Sequence, residues 1–234
     1  MSLMVLEEAS FGYGKKPAAE GVSLCLQEGE TLCIVGGNGS GKSTLMKGML
    51  RLLRPLSGSI RFEAGLSAAQ IGYLPQQSPI QADFPAGVRE VLLSGFAAQS
   101  PFPFYGREQR RAADEMLERI GLGELARESV CALSGGQRQR LMLGRALLAA
   151  RRLLFLDEPA AAMDAEGVEL LYSLLREEKQ RGVTVVLVTH SARSLEGADR
   201  VLWMDHRPRF LGAPQELARA GYSLEGGSDH GNLG

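Results

Sequence analysis

Three short, uninterrupted apolar runs punctuate the chain, "TLCIV" (31–35), "LLFL" (153–156) and "VTVVLV" (183–188), and each gives way to polar residues or glycine. Strands buried on both faces of a parallel sheet read this way, because neither face alternates toward water. The first run passes through a glycine loop into "KSTLMKGMLRLLRP", which predicts a strand–loop–helix unit whose helix stops before Pro55. The first thirty residues and the stretch "GSIRFEAGLSAAQIGYLPQ" alternate more and carry turn residues, so they predict a smaller antiparallel sheet. From about Phe84 to Ala150 the pattern turns helical, and "REQRRAADEMLERIGL" places Ala112, Met116 and Ile120 on one face. That section reads as a helical insertion between strands. The last residues, "LEGGSDHGNLG", are polar and Gly-rich, as expected of a frayed end.

Composition narrows the picture only a little. The 234 residues suffice for one substantial core, or for a core with an inserted subdomain. Lys and Arg number 26 against 27 Asp and Glu, with no dense basic block, so no nucleic-acid partner is expected. Cys25, Cys33 and Cys131 lack C-x-x-C spacing and are odd in number, which points to a reducing compartment and to neither a disulfide framework nor a zinc site. His190, His206 and His230 form no ligand cluster with them. The N-terminus shows no basic region followed by an apolar stretch, and no apolar run is long enough to span a bilayer. Any action at a membrane is therefore expected to pass through another chain.

The chemistry starts at "GGNGSGKST", comprising Gly36, Gly37, Asn38, Gly39, Ser40, Gly41, Lys42, Ser43 and Thr44, which matches G-x-x-x-x-G-K-[ST]. Glycines let the backbone curl so that successive N–H groups point inward, while the helix beginning near Lys42 aims its positive end at the same spot. A triphosphate fits there, with Lys42 reaching the β and γ phosphates and the Ser43 hydroxyl on a bridging Mg²⁺. The loop follows a strand and opens a helix, which sets it apart from a bare glycine turn. The second run ends in Asp157 and Glu158. One carboxylate is enough to position Mg²⁺; a second beside it can orient and partly deprotonate an attacking water, so the pair predicts hydrolysis. By itself Asp-Glu-Pro is also a plain strand exit. His190 follows the third run, where an imidazole can donate to the γ phosphate and to Glu158.

A further stretch, "LSGGQRQR", pairs Ser134 with Gln137 as a capping box, yet puts Gly135 and Gly136 in the first helical turn. Glycine costs about 0.8 to 1 kcal/mol per helical position relative to alanine, so the pair makes sense where something must approach the backbone. Their N–H groups and the Ser134 hydroxyl form a second anion site. The chain thus carries two phosphate-binding ends and the motifs of one nucleotide. Either one chain folds both onto one phosphate, or each end serves the other molecule of a dimer.

The phosphate loop, "LSGGQ" and "LLFLDEP", in this order and spacing, resemble the ATP-binding subunits of ABC transporters, from Tyr13 to about Leu217. The resemblance implies an α/β fold: a P-loop NTPase core with a mostly parallel sheet, an N-terminal antiparallel β subdomain and an inserted α-helical subdomain. It divides the chain into residues 1–82 with 151–212 as the nucleotide-binding core, 83–150 as the helical signature subdomain, and 213–234 as a C-terminal helix and tail. It implies ATP and Mg²⁺, and a head-to-tail dimer of two copies in which the signature helix closes on the ATP of the partner. By position, Tyr13 in "SFGYG" is the adenine-stacking aromatic and Gln76 in "IGYLPQQ" the glutamine that contacts Mg²⁺ and senses the membrane subunit. Gln77 competes for that role; the position after Pro75 favours Gln76. Asp164 in "PAAAMD" matches the aspartate that touches the opposite subunit, and His190 the switch histidine. Met163 stands where leucine is common, a volume-conserving change.

Within the family, "PIQADFPAGVREVLLSGF" and "PFPFYGREQRRAADEMLERIGL" resemble the ATPases of zinc- or manganese-type importers, with Asp83-Phe84-Pro85 and Val88 as the matching core. That implies a multi-span membrane permease, an extracytoplasmic substrate-binding protein, and a place on the cytoplasmic side of the membrane. Phe84, Phe96, Phe102, Phe104 and Tyr105 either line the docking groove for the permease or fill the small helical core. The rival reading is a soluble ABC-type ATPase acting on ribosomes or DNA. Such proteins usually fuse two ATPase units or carry long coiled coils, and this sequence shows neither.

Overall fold

The computed structural model describes residues 1–76, 86–99 and 105–223. In chain order the elements are β1 (Ser2–Tyr13), β2 (Lys16–Gln27), β3 (Thr31–Val35), α1 (Lys42–Met49), β4 (Ser57–Phe62), β5 (Ile71–Leu74), α2 (Val88–Leu93), α3 (Arg107–Arg119), α4 (Gly135–Ala149), β6 (Leu153–Asp157), α5 (Ala165–Gln180), β7 (Thr184–Val188), β8 (Arg200–Asp205), β9 (Arg207–Gly212) and α6 (Pro214–Leu217). The three apolar runs are β3, β6 and β7, and every residue of each strand is buried. Helix α1 ends at Met49, short of Pro55, with Arg51 in the left-handed region. Among the described residues no helix is long and apolar enough to cross a membrane.

Contacts divide the chain into two compact units. The first holds Met1–Leu3, Gln27–Glu30 and Phe62–Leu187. Its strands run in the order β5, β6, β7. β5 and β6 are parallel, in a register that sets Leu74 against Leu156. Helices α2, α3 and α4 pack on one another, burying Val88, Val91 and Leu92 of α2 and Leu141, Leu143 and Leu147 of α4. Two expectations need correction here. "IGYL" joins a parallel sheet through β6 and not the antiparallel one; its alternation arises because Gly72 and Leu74 are buried, Gly72 against α4, while Ile71 and Tyr73 are only half-buried. The buried stripe of α3 is Ala113, Met116 and Leu117, continued by Ile120, so Ala112 lies one position off its centre at half exposure.

The second unit holds Met4–Leu26, Thr31–Arg61 and the chain from Val188. β1 and β2 form a hairpin across Gly14 and Lys15, antiparallel as a two-residue connection demands, and β4 adds to the other edge of β1. Arg61 of β4 grips Glu7 of β1 through two hydrogen bonds of 2.9 and 2.7 Å, which holds the Glu7 carboxyl below the usual carboxylate range. Beside this sheet, β3 pairs parallel with β8, and β8 pairs antiparallel with β9 through a register shift at Trp203/Met204.

Candidate active site

The phosphate loop in the second unit is built as its sequence requires. It leaves β3 at Val35 and reaches α1 with Gly36, Gly39 and Gly41 all at positive φ, 144°, 77° and 94°. A β-carbon at Gly36 would collide with the Met204 carbonyl oxygen, and one at Gly41 with that of Ala18. No side chain caps α1 and its first turn carries no acidic residue, which leaves the helix dipole directed at the loop. Buried Lys42 folds its ammonium onto its own loop, donating to the carbonyls of Gly36 at 3.0 Å and Gly37 at 2.7 Å.

The loop rests on the β8–β9 hairpin, a support the sequence reading did not find. The His206 N–H donates to the Ser40 carbonyl at 2.9 Å, and the Glu20 N–H donates to the His206 carbonyl at 2.7 Å. His206 itself sits at φ 53°, and its neighbour Arg207 donates to Glu20 through Nε at 3.0 Å; that carboxylate raises the Arg207 pKa. These are mostly backbone contacts, so no residue type advertised them. A cavity of about 450 Å³ opens beside the loop, lined by Asn38, Ser40, Trp203, Arg209 and Tyr222 among others.

Tyr13 ends β1 with 59 % of its surface exposed. Lys47 of α1 donates to its hydroxyl at 3.1 Å and lies 5.8 Å from the ring centroid, which places the ammonium beyond the hydroxyl end of the ring and not over its face. His190 is exposed just past β7. Its flanks are fixed: the Thr189 N–H donates to the Ile34 carbonyl at 3.1 Å, and the Ser191 N–H to Thr189 Oγ1 at 3.0 Å.

In the first unit β6 delivers Asp157, only 3 % exposed, and then Glu158, which adopts φ 48°. The parallel register explains what Glu158 meets. Leu74 opposes Leu156, so two residues further along the strand ends Gln76 reaches Glu158, and its Nε2 donates to Glu158 Oε2 at 2.9 Å. Strand ends of this kind are where α/β sheets place their chemistry. Asp164 caps α5, its Oδ1 accepting the Gly167 N–H at 2.8 Å.

The signature end also lies in the first unit and forms the expected box. Ser134 Oγ accepts the Gln137 N–H at 3.2 Å, and Gln137 Oε1 accepts the Ser134 N–H at 2.8 Å. Among the described residues, a β-carbon at Gly135 would meet nothing within 4 Å, and one at Gly136 only the Ala162 carbonyl, at an ordinary 3.5 Å. Packing among the described residues thus demands neither glycine. Of the other expected residues, Phe96 is buried and Tyr105 half-buried, while Gln77, Asp83, Phe84, Pro85, Phe102, Phe104 and His230 lie outside the described residues.

A glycine-rich phosphate loop between a buried strand and a helix, in a chain that ends another parallel strand in a carboxylate pair, defines a P-loop nucleoside-triphosphate hydrolase. The chain belongs to the ABC transporter family, whose profile matches residues 19–161. It is 35 % identical to the zinc transport system ATP-binding protein TroB of Treponema pallidum, across 89 % of this chain and 80 % of that one. It is 36 % identical to the manganese transport system ATP-binding protein MntB of Bacillus subtilis, across 90 % and 86 %. Among solved structures, a putative metal-chelate type ABC transporter in an inward-facing conformation matches with a TM-score of 0.79 at 27 % identity, over 93 % of this chain and 85 % of that one. A dimeric ATP-binding cassette bound to ADP and phosphate matches with a TM-score of 0.78 at 26 % identity, over 91 % and 99 %. The chain is therefore an ATP-hydrolysing ABC subunit.

Proposed function

We propose that this ATPase powers import of a divalent metal ion or metal chelate through a separate multi-span permease, supplied by an extracytoplasmic binding protein. It would work at the cytoplasmic side of the membrane as a head-to-tail dimer, with each signature end closing on ATP held by the other copy. In this reading residues 1–82 and 151–212 form the core, 83–150 the signature subdomain, and 213–234 a C-terminal appendage. The metal assignment is supported by the zinc and manganese systems to which the matched relatives belong.

The observation that carries the hydrolytic reading is the Gln76–Glu158 pair, a carboxylate held by an amide at the ends of adjacent parallel strands. Glu158 accepts a proton from the water whose oxygen attacks the γ phosphorus; the bond to the bridging oxygen breaks and ADP leaves. Lys42 exchanges its two loop carbonyls for phosphate oxygens, and Tyr13 stacks on adenine. The donors suit Mg²⁺, a hard cation: the Ser43 hydroxyl, the buried Asp157 carboxylate, and the Gln76 amide oxygen, since the Gln76 nitrogen is engaged with Glu158. Bound there, Mg²⁺ would neutralise charge on the phosphates. His190 would donate to the γ phosphate, and Asp164 and Ser134 to Gln137 would meet the partner's half of the site.

Replacing Glu158 by Gln tests the reading. The purified variant should bind ATP, turn it over at least about a hundredfold more slowly and accumulate as a dimer on size-exclusion chromatography. In cells lacking the chain, zinc or manganese uptake should be restored by the parent and not by the variant. Parent-rate turnover by the variant removes Glu158 as base, and uptake that ignores loss of the chain removes the metal assignment.

A further inference from the structure

Glu158 is followed by a residue whose backbone is unusually dependent on help from outside. Pro159 is buried and has no N–H, so its carbonyl is its one backbone polar group and needs a partner. The partner is a side chain: Gln139 Nε2 of α4 donates to the Pro159 carbonyl at 3.1 Å, with Gln139 itself only 6 % exposed. Gln139 stands three residues beyond Gly136 and so shares its helix face. Gly136 looks toward the Ala162 carbonyl, so the start of α4 runs along residues 159–162. Glu158 meanwhile holds φ 48°, a region that bulky L-residues leave unless their surroundings fix them. The Ala161 N–H donates to its carbonyl at 3.2 Å, and the Met163 N–H to that of Ala160 at 3.1 Å, which closes the turn on its far side. Gln139 closes it on the near side.

We infer that Gln139 is a positioning residue for the hydrolytic step: by holding the Pro159–Ala160 peptide, while the Ala161 N–H holds the Glu158 carbonyl, it fixes the strained turn that aims the carboxylate, and it ties that aim to the first two turns of the signature helix. A displacement of the start of α4 then reaches Glu158 through one hydrogen bond. Gln139 touches no reacting atom. The inference rests on the reading of Glu158 as the base, and the test separates the two.

Full-length parent, Gln139→Met, Glu158→Gln and the double variant are compared by steady-state and single-turnover ATP hydrolysis. Methionine keeps the volume and removes the donor. The expected result is that Gln139→Met lowers kcat about tenfold with KM for ATP within about twofold of the parent, and has no further effect on the Glu158→Gln background. Coupling of that kind marks action through Glu158. A general folding defect lowers every background alike, so its effect multiplies; a multiplied loss overturns the inference, as does a Gln139→Met kcat within about twofold of the parent while Glu158→Gln is slow. If Glu158→Gln hydrolyses at the parent rate, the base assignment fails first and the inference with it. Should Gln139→Met not fold, Gln139→Asn, an amide one methylene short of the carbonyl, is read by the same criteria.

Discussion

Lys42 donates to two carbonyls of its own loop, bonds that hold the loop in shape. A triphosphate has to displace those bonds, and it does so with charged oxygens that make stronger partners than carbonyls. Lys42→Ala should therefore weaken ATP binding by about tenfold or more, measured with a fluorescent ATP analogue, and, because it also removes two charge-assisted bonds from the loop, lower the thermal midpoint by a few degrees. A fall in the midpoint with unchanged affinity would mean that the ammonium serves the loop alone. Lys42→Arg is expected to recover little ATP binding, because a bulkier planar guanidinium cannot place its donors on the phosphate oxygens where a compact ammonium does. Glu158 presents the opposite case: its chemistry is plain from the residue type, but its conformation, φ 48°, is visible only in the fold.

Among the elements, α4 separates what helps folding from what helps function. Its capping box uses Ser134 and Gln137, and neither following glycine is demanded by a neighbour among the described residues. Gly135→Ala should leave unfolding stability unchanged or raise it by up to about 1 kcal/mol, because alanine is the better helix former. The same change should cut ATPase activity at least about tenfold if a phosphate must reach that backbone. Retained activity would return the glycines to the status of a local oddity. This division shows what the sequence could carry. β3, β6 and β7 were legible because both faces of each are buried, and the capping box because it is a pattern of side chains. β5 was misplaced, since an edge strand buried on one face alternates like a member of an antiparallel sheet. The stripe of α3 shifted by one residue for a similar reason: Ala112 and Ala113 are the same residue type, and only packing chooses between them. The support of the phosphate loop by His206 escaped altogether, because a backbone N–H on a carbonyl leaves no trace in residue identity.

For the molecule as a whole, each half of the proposed nucleotide site makes bonds of its own, the signature end through its box and the phosphate loop through Lys42 and the β8–β9 hairpin, although the buried Ser40 Oγ of the loop has no partner among the described residues. Such halves can fold without nucleotide and meet on it, which agrees with a family whose solved members include dimeric cassettes. The stability of the whole chain bears on one residue in particular. Glycine tolerates positive φ and alanine does not, so Glu158→Gly should be more stable than Glu158→Ala by about 1 kcal/mol, a difference of roughly 2–4 °C in Tm for a chain of this size. Equal midpoints would show that the turn holds Glu158 without strain. If the difference appears, a library of variants sorted for thermal resistance alone would drift toward glycine at this position. Selection for toughness and selection for turnover would then pull the same codon in opposite directions, and the working protein would be the one that lost the first contest.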